Sequence, residues 1–173
     1  MKLKVFFLTI FFLSCKNQPL KQFTLQDLPV KYNIEIVING IVPKNDEFEL
    51  FYFEAPKTEF NQHDAIQKNV VGSKNPQSIK FMLPHKIIPD RIRIDLGKNT
   101  EQQSIKIDNI TIKYGQKKFI FENEILLQNF STSKYLKYNA QDKSYSSIKI
   151  EGRLDPYLYS TNISGVLNYL LED

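Results

Sequence analysis

Apolar and polar residues alternate in Arg91-Ile92-Arg93-Ile94-Asp95-Leu96-Gly97 and again in Ile105-Lys106-Ile107-Asp108-Asn109-Ile110-Thr111-Ile112. A period of two is typical of a half-buried β-strand, so these stretches predict two strands joined by a polar turn. In the second stretch the isoleucines change from odd to even positions across Asp108-Asn109, and one extra residue inside a strand indicates a β-bulge. We therefore expect a core that receives Ile92, Ile94, Ile105, Ile107, Ile110 and Ile112.

Short segments of the same kind continue on both sides of this pair. Further strands are predicted at Tyr32–Gly40, Phe48–Phe53, Ser78–Leu83, Lys118–Phe121, Tyr135–Tyr138, Ser146–Glu151 and Asp155–Tyr159. The polar segment Lys57–Gln77 reads as a long connecting loop with an irregular strand at Ala65–Val71. Apolar residues at helical spacing predict a short helical turn at Glu124–Phe130 and a C-terminal helix at Ile163–Leu171.

Many short strands with little helix are typical of an all-β protein. We predict an antiparallel β-sandwich, jelly-roll-like, with a short C-terminal helix; a closed barrel is the structural alternative.

The N-terminus has the features of an export signal. Lys2 and Lys4 precede the apolar run Val5–Leu13, which is too short to span a membrane but fits the h-region of a signal peptide. Ser14 and Cys15 follow, and this end resembles a bacterial lipobox, although Phe12 stands where that family usually has leucine. The resemblance implies cleavage before Cys15, lipidation of its sulfur and a place on the bacterial cell envelope. The alternative is an ordinary secretory signal that leaves a free thiol.

The remaining chain divides into two parts. Residues 15–30 are polar, contain Pro19 and Pro29, and are interpreted as a lipidated tether. Residues 31–173 are long enough for one domain with its own core. Removal of the signal peptide 1–14 lowers the formal net charge of +4 by two. Such a weak charge, without a basic stripe, does not predict a nucleic-acid partner.

No catalytic or metal-binding pattern stands out in the sequence. His63 and His85 are far apart and lack cysteine or carboxylate partners at zinc-ligand spacing, and there is no Gly-x-Ser-x-Gly motif. Two carboxylate pairs occur, Asp90 with Asp95 and Glu122 with Glu124. We expect these carboxylates to lie in turns and on solvated strand faces, where water keeps their pKa values ordinary. The sequence therefore predicts no enzyme, no metal and no cofactor.

Candidate ligand-binding residues are found among the aromatic and arginine side chains. Tyr157 and Tyr159 share one face of a predicted strand, and rigid rings suit contacts with sugars or proteins. Arg91 and Arg93 share a face with Asp95, either as a recognition stripe or as cross-strand ion pairs on a solvated face. Most other rings, including Phe51, are expected in the core. The predicted ligand-binding residues are Tyr157, Tyr159, Arg91 and Arg93.

The order of several short motifs resembles a jelly-roll β-sandwich module that is appended to bacterial envelope and polysaccharide-biosynthesis proteins. The motifs are Ile38-Asn39-Gly40, Leu50-Phe51-Tyr52, Phe60, Phe81-Met82-Leu83-Pro84, Arg93-Ile94-Asp95, Ile105–Ile112 and Asp155-Pro156. Leu96-Gly97 stands where the family pattern has proline after the aspartate. The resemblance implies an accessory domain with a carbohydrate-binding shape and no catalytic residues.

These observations predict a lipid-anchored envelope module that binds a ligand without catalysis. The expected partners are the membrane, through the lipid, and a glycan or an envelope protein. The alternative is a structural lipoprotein that scaffolds a membrane complex.

Overall fold

The alternating stretches form antiparallel strands in a computed structural model of the protein, which describes residues 32–57, 59–102 and 104–172. The predicted signal peptide, Cys15 and the tether lie outside the described residues. Among the described residues, neither α-helix is long and apolar enough to cross a membrane.

The elements follow the predicted order closely. The strands are β1 (Ile34–Ile41), β2 (Asp46–Phe53), β3 (Ala65–Val70), β4 (Gln77–Met82), β5 (Arg91–Asp95), β6 (Ile105–Tyr114), β7 (Lys117–Glu122), β8 (Phe130–Thr132), β9 (Leu136–Asn139), β10 (Ser144–Ser147) and β11 (Tyr157–Ser160). The helices are α1 (Asn123–Asn129) and α2 (Ser164–Leu171), with a short 3-10 turn at Gln62–Asp64.

Within the described residues the strands form two antiparallel sheets. A six-stranded sheet has the order β4-β1-β6-β10-β9, and β7 also pairs with β6. A five-stranded sheet has the order β3-β2-β5-β11-β8. The inner faces of both sheets contribute to one apolar cluster, so the predicted β-sandwich is confirmed and the barrel alternative is wrong.

The core is built from the positions that the alternation predicts. All six isoleucines named above are at most 4% exposed. Leu158 of β11 enters from the second sheet, and Leu167 and Leu170 of α2 join the same cluster. The C-terminal helix is therefore part of the core, and its packing explains why it forms at only eight residues.

The predicted bulge in β6 is present. Asn39 pairs with Asn109, but the next residue, Gly40, pairs with Ile107, so Asp108 is the extra residue. A Cβ at Gly40 would lie 2.0 Å from the backbone oxygen of Lys106. Glycine is required here because the two backbones approach each other at the bulge.

The predicted strand Ser146–Glu151 is misplaced. The strand β10 begins earlier, at Ser144, and ends at Ser147. Beyond it the chain turns, and Ile150 forms an isolated bridge with Arg153 around Gly152. The alternation at Ile148 and Ile150 therefore does not mark a buried strand face, since Ile148 is exposed and Ile150 is only partly buried.

Candidate functional site

The outer face of the five-stranded sheet carries a layer of rings and arginines. Along β2, Phe48, Leu50 and Tyr52 belong to the core cluster, so the residues between them lie on the outer face. The strand register places Phe51 opposite Arg93 and Arg93 opposite Tyr159. We call this surface the aromatic face, and its members are Phe51, Phe53, Phe60, Arg91, Arg93, Asp95, Asp155, Tyr157 and Tyr159.

Arg93 is the best-fixed side chain of the aromatic face. Its Nε and Nη2 each donate to one oxygen of Asp95, both at 2.7 Å, and Nη2 also reaches Asp155 Oδ1 at 3.1 Å. Its Cζ lies 3.9 Å from the ring centroid of Tyr157 and 5.2 Å from that of Phe51. The two-pronged carboxylate pairing and the ring contacts hold the guanidinium in one orientation.

Arg91 is held differently. Its Nη1 donates to the hydroxyl oxygen of Tyr159 at 2.9 Å, and its Cζ lies 5.5 Å from the centroid of that ring. Among the described residues, no carboxylate lies within ion-pair distance of Arg91. Arg91 therefore keeps N–H donors that a ligand can use.

Phe60 comes from the loop before β3 and packs onto the sheet. Its ring centroid lies 4.8 Å from that of Phe53, 6.4 Å from that of Phe51 and 5.5 Å from that of Tyr159. The Phe60 and Tyr159 rings meet at 88°, an edge-to-face arrangement that aromatic pairs favour. The long segment predicted as a loop thus supplies one wall of the aromatic face.

The rings and Arg93 enclose an open hollow. Its volume is about 340 Å³, and it is lined by Glu59, Phe60, Arg93, Tyr157 and Tyr159. Phe60, Tyr157 and Tyr159 are all partly exposed, so ring surface remains for a ligand to contact. A hollow with apolar walls and a few fixed polar groups is the usual form of a small-ligand site.

The expectation that strand-face carboxylates keep ordinary pKa values is wrong for Asp95. Burial raises the pKa of Asp95 to about 6, although the hydrogen bonds and charge of Arg93 act to lower it. The nearby charges of Asp155 and Glu49 raise it further. The face is also less solvated than predicted, since the Arg93 side chain is only 23% exposed. The rings shield the ion pairs from water.

Glu49 is the cross-strand neighbour of Asp95 and is also shielded. It is 4% exposed, accepts a hydrogen bond from Gln67 Nε2 at 2.8 Å, and lies 3.6 Å from Lys98 Nζ. The two carboxylates are neighbours across β2 and β5, and each is compensated by its own donors.

The structure brings the four predicted ligand-binding residues together in one surface. Sequence analysis missed the contribution of Phe51, Phe53 and Phe60, and it did not predict that Asp155 pairs with Arg93. Strand parity was the available signal for Phe51 and Phe53, which occupy odd positions in β2, whereas the core residues of that strand are even-numbered. Phe60 is one of the motifs of the family resemblance, but strand parity does not place it on this face, because it comes from an irregular loop.

The two histidines lie in different parts of the chain. His63 is exposed in the 3-10 turn, and His85 lies in the loop after β4 with Nδ1 at 3.1 Å from Asn33 Oδ1. Within residues 32–57, 59–102 and 104–172, no three His, Cys, Asp or Glu side chains are grouped to hold a metal ion.

Comparison with family models, with curated proteins and with solved structures finds no match to this chain. The aromatic face is therefore interpreted from the chemistry of its own residues.

Proposed function

We propose that the protein is a non-catalytic binding module of the bacterial cell envelope, anchored to the membrane by lipid at Cys15, and that the aromatic face binds a glycan. The observation that supports this most strongly is the hollow between Phe60, Tyr157 and Tyr159, with Arg93 fixed beside it. Sugars present C–H faces that pack on rings and hydroxyl groups that pair with charged or amide groups.

Pre-organisation favours binding at this surface. Arg93 is already held by two carboxylates and two rings, and Tyr159 is held by Arg91 and Phe60. A ligand then loses little free energy to ordering these side chains, since immobilising a flexible side chain costs about 0.5–1.5 kcal/mol. The sequence contains no tryptophan, so in this proposal the sugar packs on tyrosine and phenylalanine rings.

The first experiment is a glycan-array screen of the purified protein, followed by calorimetry on the tightest ligand. Tyr157→Ala and Tyr159→Ala are each expected to weaken binding at least tenfold, which corresponds to about 1.4 kcal/mol. The matched control is Tyr169→Ala, because Tyr169 is a 62% exposed tyrosine on α2 and does not belong to the aromatic face. The ligand is expected to be recovered intact, as a binding module requires.

Equal losses for the control and the two face variants would contradict the proposal. A hydrolytic activity that survives repurification and disappears on replacement of one carboxylate would overturn the non-catalytic role. A protein that binds no glycan but is retained in a membrane complex would favour the scaffolding alternative.

Lipid anchoring is tested separately at Cys15. Cys15→Ser is expected to move the protein from the membrane fraction to the soluble fraction and to abolish labelling with a fatty-acid analogue, because the acyl chains supply the membrane affinity. A variant with Ser14→Ala is the control and keeps the thiol. Unchanged membrane retention and labelling of Cys15→Ser would rule out the anchor.

A further inference from the structure

A second cleft opens on the opposite sheet, where two strands leave the same edge of β6. The strand β7 pairs with β6 from Asn109 to Tyr114, while β10 pairs only with Ile105 and Lys106. Among the described residues, no strand pairs with Ile107 or Asp108 on that edge. The sheet divides at this point, next to the bulge, and we call the resulting space the fork cleft.

Two residues with positive φ lie where the chains diverge at the fork cleft. Asn123 follows β7 with φ of 50°, and Lys143 precedes β10 with φ of 55°. Each lies where its strand would otherwise continue along β6. The Nζ of Lys143 donates to Oδ1 of Asn123 at 3.1 Å, which joins the two diverging chains across the cleft.

The fork cleft has both an apolar and a polar lining. Its volume is about 230 Å³. Ile107, Leu126 and Tyr145 form a buried floor, and burial raises the pKa of Tyr145 to about 12, so its hydroxyl stays protonated. The exposed carboxylates of Asp108 and Glu122 lie at the rim.

The lining of the fork cleft also includes partly exposed apolar and aromatic side chains. Leu127 is 45% exposed and lines the cleft, and the partly exposed ring of Tyr138 packs against Tyr145 with a centroid distance of 5.0 Å. An apolar wall, a ring and two carboxylates therefore line one space of single-sugar size.

The charges of the lining narrow the class of ligand. The ammonium group of Lys143 repels a metal cation. The carboxylates of Asp108 and Glu122 outnumber that one positive charge, so the lining also repels an anionic ligand. Hydrogen-bonding groups and an apolar wall side by side favour a neutral ligand with hydroxyl groups and a small apolar substituent. The unpaired edge of β6 adds peptide groups that can pair with an amide.

We propose that the fork cleft binds an N-acetylated amino sugar. The acetamido group pairs with the edge of β6 at Ile107 and Asp108, and its methyl group packs against Leu126 and Leu127. The sugar hydroxyls pair with Asp108 and Glu122. This site is on the other sheet from the aromatic face and does not depend on the function proposed for that surface.

The test compares two tetrasaccharides that differ only at the 2-position of each ring. Chitotetraose carries 2-acetamido groups and cellotetraose carries hydroxyl groups. By calorimetry on the full-length protein in detergent, chitotetraose is expected to bind at least tenfold more tightly. Leu127→Glu is expected to lower chitotetraose affinity at least tenfold. The matched control is Ile125→Glu, because Ile125 is on the same helix, is equally exposed at 45%, and does not line the cleft.

The outcome separates the two sites. The fork-cleft proposal is supported if Leu127→Glu weakens chitotetraose binding while Ile125→Glu, Tyr157→Ala and Tyr159→Ala do not. It is overturned if chitotetraose does not bind, if both tetrasaccharides bind equally, or if Leu127→Glu and Ile125→Glu act alike. Loss of chitotetraose binding only in the tyrosine variants would overturn the fork cleft and leave the aromatic face as the glycan site.

Discussion

The two outer faces of the sandwich are built from opposite kinds of side chain. On the five-stranded sheet, large rings and arginines enclose ion pairs such as that between Arg93 and Asp95. On the six-stranded sheet, short polar groups bond to one another: Asn39 Nδ2 donates to Asn109 Oδ1 at 2.7 Å, and Thr111 Oγ1 donates to the same oxygen at 3.1 Å. The short polar groups use their hydrogen-bonding capacity on one another, whereas the rings present fixed apolar surface to a ligand.

This difference teaches that exposure alone does not identify a binding surface. Both faces contain charged residues, and both contain an ion pair between distant parts of the chain, Arg93 with Asp155 on one and Lys113 with Glu35 on the other. Of these two pairs, the one on the aromatic face has its cation over two rings, those of Phe51 and Tyr157. The shielding strengthens electrostatic interactions there, because the surroundings are less polarisable than water.

The largest effect expected on the two outer faces is a difference in stability between their ion pairs. Arg93→Ala should lower the free energy of unfolding by about 2–4 kcal/mol, because it leaves the shielded carboxylate of Asp95 without its cation and leaves Asp155 with Arg153 alone. Lys113→Ala should cost under about 1 kcal/mol, because its ammonium lies 3.5 Å from Glu35 in a more solvated setting. Urea denaturation measures both. Similar small losses would mean that the rings do not shield Arg93.

The cost of Arg93→Ala can be compared with a core truncation on the same strand. Ile94 is fully buried, so Ile94→Ala should cost about 2–5 kcal/mol. If Arg93→Ala lowers the free energy of unfolding by an amount in the lower part of that range, then truncation on the aromatic face costs nearly as much as truncation in the core. Truncation on the outer face of the six-stranded sheet is expected to cost much less.

The next effect is a pH dependence that belongs to the aromatic face. The pKa of Asp95 is raised to about 6 by burial, while in the unfolded chain it is about 4. Between these values the folded state holds a proton that the unfolded state has lost. The stability contributed by protonated Asp95 is therefore present below about pH 4 and is lost as pH rises through 6, with a slope of up to about 1.4 kcal/mol per pH unit.

Asp95→Asn isolates this contribution from that of the other carboxylates. The free energy of unfolding of the wild type, measured relative to Asp95→Asn, should fall between pH 4 and pH 6 and become flat above about pH 7. A difference that rises with pH would show that the charge and hydrogen bonds of Arg93 outweigh the effect of burial, so that the pKa of Asp95 is lowered.

The smallest expected effect distinguishes the ring of Tyr159 from its hydroxyl. Tyr159→Phe removes the acceptor for Arg91 and should cost about 0.5–1.5 kcal/mol of stability, as one hydrogen bond does. Glycan affinity should change less than threefold, because the ring remains. Thr111→Val on the other face removes one hydroxyl hydrogen bond and is the control. A tenfold loss of affinity in Tyr159→Phe would mean that the hydroxyl, and not the ring, contacts the ligand.

Local patterns in the sequence predicted most of the strands, the inward isoleucines and the bulge, whereas β8 was not predicted and β10 was misplaced. Alternation places Ile92 and Ile94 on one face because successive side chains of a strand point to opposite faces. The parity change at Asp108-Asn109 is equally local. The outward grouping of Arg91, Arg93, Tyr157 and Tyr159 could be proposed in part, because each pair shares a strand face.

Long-range contacts could not be predicted in the same way. Phe60 reaches the aromatic face from an irregular loop, and Asp155 meets Arg93 only because β11 pairs with β5. Gly97 has φ of 92° and lies against the Asp46 side chain, which accepts hydrogen bonds from the backbone of Lys98 and Asn99. The raised pKa of Asp95 results from its burial in the folded protein, and burial of this kind cannot be deduced from the spacing of residues in the sequence.

The most direct test of the account is to locate a bound glycan by NMR. Backbone amide shifts are recorded while the protein is titrated with the tightest-binding array glycan that lacks N-acetyl groups. The account predicts saturable shifts at Arg93, Tyr157 and Tyr159, with Asn39 and Thr111 on the other face unchanged. Shifts confined to the outer face of the six-stranded sheet, or no saturable shift at the aromatic face, would contradict it.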